Sequence, residues 1–153
     1  MAAVPSNSTT AWLVLGEVAR LRKGERVLVH AAAGGVGSQL GQVARLLGAG
    51  QVVGTVGSPD KIEAATAFGY DEVVLRDDLP GAVAGLTDGR GFDVAVDPVG
   101  GAARRASLDA LAQGGRLVAM GQRLGRGRRR VQRERAVVQR QGRPRLQPRR
   151  AER

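Results

Sequence analysis

Apolar residues over the first four-fifths of the chain alternate between two patterns. Short, near-continuous β-branched runs are separated by stretches in which apolar positions recur every three or four residues. Residues 27–31, 51–56, 72–75, 92–97 and 116–120 read as strands. Residues 36–47, 59–68, 78–86 and 102–112 read as helices, the second opened by Pro59 and the third interrupted by Pro80 and Gly81. Ahead of them a helix runs from a cap at Thr9 or Thr10 to about Arg20, with Trp12, Leu13, Leu15 and Val18 as its apolar positions and Lys23-Gly24 as its stop. Five strands separated by helices predict an α/β fold, an open, doubly wound parallel sheet ordered 3-2-1-4-5. In such a sheet ligands bind beyond the carboxyl ends of the strands, next to the first strand.

The most informative local pattern lies there. In RVLVHAAAGGVG (26–37) an apolar strand feeds a glycine-rich turn, and the turn opens a helix. Gly34, Gly35 and Gly37 lack Cβ atoms, so backbone N–H groups can approach a pyrophosphate at a helix N-terminus, where the peptide dipoles favour negative charge. As A-x-G-x-x-G the motif is weak alone; the strand before it and the helix after it strengthen it. A nucleotide-hydrolysing P-loop is disfavoured, because Gly37-Ser38 has no lysine before the hydroxyl. The plainer alternative is a structural strand-to-helix reversal, for which three close glycines are more than is needed.

The end of the second strand bears on the choice of cofactor. An acidic residue about 20 positions after the glycines would bind an adenosine ribose diol and repel a 2′-phosphate. The strand instead ends Val56-Gly57-Ser58-Pro59-Asp60-Lys61. Ser58 and Lys61 offer a phosphate a hydroxyl and an ammonium, which favours NADPH over NADH. Asp60 is the counter-indication, as a displaced ribose acid, and Lys61 read alone is equally a solvated first-turn lysine.

Charge divides the chain in two. The net charge is +10, but residues 1–121 carry 11 Lys/Arg against 12 Asp/Glu, while 122–153 carry 13 Arg against Glu134 and Glu152. The segment from 122 onward therefore stands apart as an Arg-rich tail. Three readings of it stay open: a disordered solvated extension, a salt-dependent binder of nucleic acid, or the product of a shifted reading frame in a GC-rich gene. The chain has no cysteine and one histidine, which excludes disulfides, thiolate catalysis and Cys/His zinc sites within it. No apolar run approaches the length of a membrane span and no basic-then-apolar leader opens the chain, so a cytoplasmic location is expected.

Five segments together resemble the medium-chain dehydrogenase/reductases, in particular their quinone oxidoreductase (zeta-crystallin-like) branch. These are Thr10-Ala11-Trp12, GERVLVHAAAGGVG (24–37), GTVGSPDK (54–61), Asp97-Pro98-Val99-Gly100-Gly101 and GGRLVAMG (114–121), in family order. The resemblance implies a Rossmann-type cofactor domain over 1–121, with NADPH supplying hydride to a quinone, enone or related carbonyl and no zinc. By position, Gly34, Gly35, Val36 and Gly37 would hold the pyrophosphate, and Ser58 and Lys61 the 2′-phosphate. Val99, Gly100, Met120 and Gly121 would line the nicotinamide-ribose side, although strand-end packing accounts for Val99 and Met120 equally well. Where relatives carry a tyrosine after the third strand, this chain has Leu75-Arg76, which makes Arg76 a substitute phosphate partner. Asp97 reads either as a member of the site or as a turn-forming carboxylate ahead of Pro98, and His30 as a packed strand residue. The family's substrate domain is not matched here, so the expectation is a truncated enzyme whose catalytic residues are unknown. The alternative is a non-catalytic dinucleotide-binding module whose tail contacts nucleic acid. Homodimers form in the family along the edge of this sheet; here the fifth strand is expected to be a bare edge.

Overall fold

The computed structural model of the protein describes residues 3–121 and 137–140. In chain order the elements are α1 (Ala3–Trp12), continued by a wider π-type turn (Leu13–Val18), β1 (Arg26–His30), α2 (Gly35–Leu46) and β2 (Gln51–Val56). A 3-10 turn (Pro59–Lys61) runs into α3 (Ile62–Thr66), followed by β3 (Glu72–Leu75), α4 (Leu79–Thr87), β4 (Phe92–Asp97), α5 (Ala102–Asp109), β5 (Leu111–Ala119) and β6 (Val137–Arg140). The sheet order is β3-β2-β1-β4-β5-β6. The first five strands are parallel and take the order the hydrophobic pattern predicts.

The near-continuous apolar runs exist because the sheet is covered on both faces. Val27, Val29, Val52, Val94, Val96 and Val118 point into one core, closed by Ala11, Val14 and Leu15 of the first helix and Leu40, Val43 and Ala44 of α2. Leu28, Val53, Ala95 and Leu117 alternate to the other face, closed by Leu79 of α4 and by Ala110 beyond α5.

The largest departures from the sequence reading lie at the first helix and around β5. The first helix starts at Ala3, and Thr10 lies inside it, its hydroxyl donating back to the carbonyl of Ser6 at 2.9 Å and not capping. Its last turn is widened: the N–H of Ala19 reaches the carbonyl of Val14, five residues back. That shift turns Ala11, Val14, Leu15 and Ala19 inward and leaves Trp12 and Leu13 each 49% exposed. At the other end of the domain α5 stops at Asp109 and β5 begins at Leu111, because Phe92 already pairs with Leu111 before the register shifts between Phe92 and Val94.

The bare fifth-strand edge is also corrected. Within the Arg-rich segment, Val137–Arg140 pairs antiparallel with β5, from Ala119 opposite Val137 to Arg116 opposite Arg140. A Val-Val pair among arginines carries the β-propensity that makes this possible. The remaining residues of that segment, 122–136 and 141–153, lie outside the described residues.

Arg116 of β5 joins the amino ends of the strands to the first helix. Its guanidinium donates to both carboxylate oxygens of Glu25, at 3.0 and 2.7 Å, and to the carbonyls of Ala19, Arg20 and Asp93. Burial raises the Glu25 carboxyl, but Arg116 and the N–H of Arg22 outweigh it and hold the group below its usual range. Arg116→Met strips the charge partner from Glu25 and several carbonyls at once. The expected loss is about 2–4 kcal/mol in urea unfolding, against near-neutrality for Arg90→Met, whose guanidinium is mostly exposed.

Candidate dinucleotide site at the strand ends

β1 delivers the chain to Ala31, which takes a left-handed conformation at φ 55° and turns it sharply. The N–H of Gly34 donates to the carbonyl of Ala31 at 2.9 Å, and α2 starts at Gly35 with extended Gly34 as a cap that has no side chain to offer. Ser38 N–H closes the first turn on the carbonyl of Gly34 at 2.8 Å. Among the described residues the N–H groups of Gly35, Val36 and Gly37 have no backbone partner, and Gly34 and Gly35 are exposed. Three amide donors at the positive end of a 12-residue helix make an anion cradle. Gly37 serves a different purpose: a Cβ there would overlap the carbonyl of Ala31, so its absence lets α2 lie directly on β1. A Cβ on Gly35 would meet only the side-chain amide of Asn7, at 2.8 Å.

The adenosine-phosphate candidates converge beyond β2 and β3. Ala32 N–H bonds the carbonyl of Thr55 at 3.0 Å, tying the glycine turn to the end of β2, and Arg76 N–H bonds the carbonyl of Val56 at 2.9 Å. The Arg76 guanidinium thereby lies over Gly57, whose Cβ, were there one, would stand 3.4 Å from Nη2. Its Nε is buried, with no hydrogen-bond partner among the described residues. Lys61 is exposed on the adjoining turn. The Ser58 hydroxyl beside the Asp60 carboxyl, helped by the Lys61 charge, holds that carboxyl below its usual range.

At the ends of β4 and β5 the predicted residues do different things. Gly121 is exposed, but Met120 is 9% exposed and packs into the core beneath α1 and α2. The N–H groups of Val99 and Gly100 are both engaged by Asp97 Oδ1, at 2.8 and 2.9 Å. Asp97 is thus a turn-forming carboxylate.

His30 is a fully buried polar residue, as the sequence reading favours, and its surroundings determine its tautomer. Ser107 donates its hydroxyl to the carbonyl of Ala103, so its oxygen accepts from His30 Nε2–H at 2.7 Å. His30 Nδ1 then accepts from the Thr55 hydroxyl at 2.6 Å. Burial pushes the imidazolium down to about 4, with the Asp97 charge opposing and Arg76 adding to the shift. Tyr70 escaped the sequence reading. Its hydroxyl donates to the carbonyl of Gly37 at 2.6 Å, its ring fills the space over Gly41 and Gly54, and burial raises its phenol above the ordinary range. The available signal was a single tyrosine directly after Gly69, between a helix and a strand.

Comparison with known proteins places the chain in a family. Residues 35–140 match the family described as zinc-binding dehydrogenase, more than half of the chain. The chain belongs to that family, among the medium-chain dehydrogenase/reductases. A curated relative of this dehydrogenase fold is the phthioceranic/hydroxyphthioceranic acid synthase of Mycobacterium tuberculosis, 40% identical over 124 residues, 80% of this chain and 6% of the synthase. A quinone oxidoreductase of Pseudomonas syringae superposes with a TM-score of 0.73 at 39% identity, over 78% of this chain and 37% of that one. A mycobacterial protein complexed with NADPH gives 0.72 at 36%, over 78% and 38%. A structure described as an NAD-dependent alcohol dehydrogenase gives 0.71 at 40%, over 77% and 35%. The chain therefore spans well under half of these relatives. The zinc in the family's description finds no fitting ligands here: the chain has no cysteine, His30 is committed on both nitrogens, and among the described residues no group of three or more His, Asp or Glu is placed to hold a metal ion.

Because the folded state holds His30 neutral, stability is complete above the ordinary histidine pKa of 6.5 and is lost as pH falls toward about 4. The size of this loss is about 3 kcal/mol. Denaturant unfolding at several pH values between 7.5 and 4 should show wild type losing its advantage over His30→Gln on acidification. Parallel pH profiles for the two proteins would contradict the neutral buried imidazole.

Proposed function

We propose that the chain is the NADPH-binding domain of a zinc-independent oxidoreductase that reduces quinones, enones or related carbonyls. The observation that carries the NADPH assignment is Arg76. A buried guanidinium nitrogen without a partner, beside Gly57 and on the same rim as Ser58 and Lys61, is suited to a dianionic phosphate. An adenosine ribose diol would need an acceptor there, and Asp60, the carboxylate that follows the end of β2, is turned to Ser58.

The pyrophosphate is assigned to the N–H groups of Gly35, Val36 and Gly37. Gly34 shapes the turn and leaves room for the ligand backbone. Val99, Gly100 and Gly121 form the rim past β4 and β5, with Met120 supporting it from the core. The bound nicotinamide supplies the hydride; the protein's part is binding, orientation and exclusion of water. No helix among the described residues is long and apolar enough to cross a membrane. The quinone oxidoreductase and the NADPH complex among the relatives support this reading over that of a non-catalytic module with a nucleic-acid-binding tail.

Titration of the purified chain with NADPH and NADH, followed by cofactor fluorescence, tests the proposal. NADPH is expected to bind more tightly. Lys61→Ala, at an exposed position, should weaken NADPH by about tenfold and NADH little, the share of one charge-assisted contact. Gly35→Asp should abolish binding of both, since it sets a carboxylate against the pyrophosphate and only the Asn7 side chain must move to admit it. Equal affinities that Lys61→Ala leaves unchanged would overturn the NADPH assignment. NADPH oxidation on adding a quinone would place turnover within this chain, and binding without oxidation would leave it a cofactor domain only.

A further inference from the structure

Asp97 is fully buried at the end of β4, and three donors converge on it. Oδ1 receives the N–H groups of Val99 and Gly100, while Oδ2 receives Arg104 Nε–H at 3.2 Å from the first turn of α5. The loop closed by these bonds carries Gly100 at φ 79° and Gly101 at φ 60°, conformations easily lost when the restraint goes. Arg104 also covers the loop from outside: its Nη2 would stand 3.7 Å from a Cβ on Gly100. Its side chain is 27% exposed, and among the described residues its terminal nitrogens have no hydrogen-bond partner. Among the described residues, His30 of β1 lies within the electrostatic reach of both Asp97 and Arg76 past β3.

This arrangement has a consequence for the cofactor. The Val99 and Gly100 amides are occupied by Asp97 and do not reach a ligand, so the loop contributes its shape. That shape is held by a buried carboxylate whose one ion-pair partner among the described residues is Arg104. A buried carboxylate left without its cation is costly, and the loop is the part free to rearrange. We infer that Arg104 is a positioning residue for the dinucleotide, acting through Asp97 to hold the 98–101 loop in its ligand-receiving form. The inference rests on the NADPH reading proposed above.

NADPH titration calorimetry on the full chain, with melting temperatures, tests it across Arg104→Leu, Arg104→Lys, Asp97→Asn and the double variant Asp97→Asn/Arg104→Leu. At a temperature where every protein is folded, Arg104→Leu should weaken NADPH by about tenfold and Arg104→Lys should recover most of that loss. Asp97→Asn should weaken NADPH comparably, and the double variant should be no weaker than the poorer single one, because both act on one loop. If Arg104→Leu fails to fold, Arg104→Gln carries the same expectation. A lowered melting temperature with unchanged NADPH affinity would reduce Arg104 to a structural ion pair and overturn the inference, as would losses that multiply in the double variant. Failure of the wild-type chain to bind NADPH would overturn the NADPH reading itself, and the inference with it.

Discussion

The contact between Gly37 and the carbonyl of Ala31 is the constraint on which the rest of the structure depends. Only an absent Cβ lets α2 settle directly on β1, and that approach brings the helix N-terminus over the sheet edge where β2 and β4 diverge. Tyr70 secures the same contact from the other side, its hydroxyl on the Gly37 carbonyl and its ring against Gly41 of α2 and Gly54 of β2. Two further glycines are thereby committed to one aromatic ring. The cradle for an anion is a by-product of this packing: when the helix starts at a glycine with no capping side chain, its first amides remain available.

The second face of the sheet carries a run of polar side chains, whereas the first is apolar apart from Tyr70 and Met120. Thr55, His30 and Ser107 form a directional chain of hydrogen bonds from β2 through β1 to α5, and Asp97 with Arg104 continues polar pairing past the end of β4. The buried polar atoms of Thr55, His30, Ser107 and Asp97 are all paired, which is the condition for keeping such groups out of water. Arg76 is the exception, with a buried nitrogen still lacking a partner. The described domain is close to neutral in sequence, so positive potential past the strand ends comes from placement: the amino end of α2, the exposed Lys61 and the Arg76 guanidinium beside Gly57.

Much of this was legible in the order of residues. Strands 51–56, 72–75 and 92–97 stand where the β-branched runs place them, because a strand covered on both faces must be apolar throughout. Boundaries set by tertiary contacts were less legible. Thr10 has the chemistry of a cap and sits inside a helix, and Leu111 precedes the apolar run but joins the sheet because Phe92 is waiting for a partner. In the Arg-rich segment composition concealed β6, whose four residues depend on the edge of β5 for their hydrogen bonds.

By itself, the sequence determined the fold class, the strand order and the location of the glycine cradle, since periodicity and missing side chains are properties of neighbouring residues. Only the tertiary structure decided that Val99 and Gly100 give their amides to Asp97, that Met120 belongs to the core, that Tyr70 packs on Gly41 and Gly54, and that Asn7 and Arg104 lie against Gly35 and Gly100. The Asp97 turn closes over two and three positions, but Arg104 reaches it from seven positions away on α5, and Tyr70 reaches Gly37 across 33 positions, between elements that meet only when the sheet is assembled. Local pattern reports what a residue can do, whereas the partners that commit its hydrogen bonds are chosen by packing.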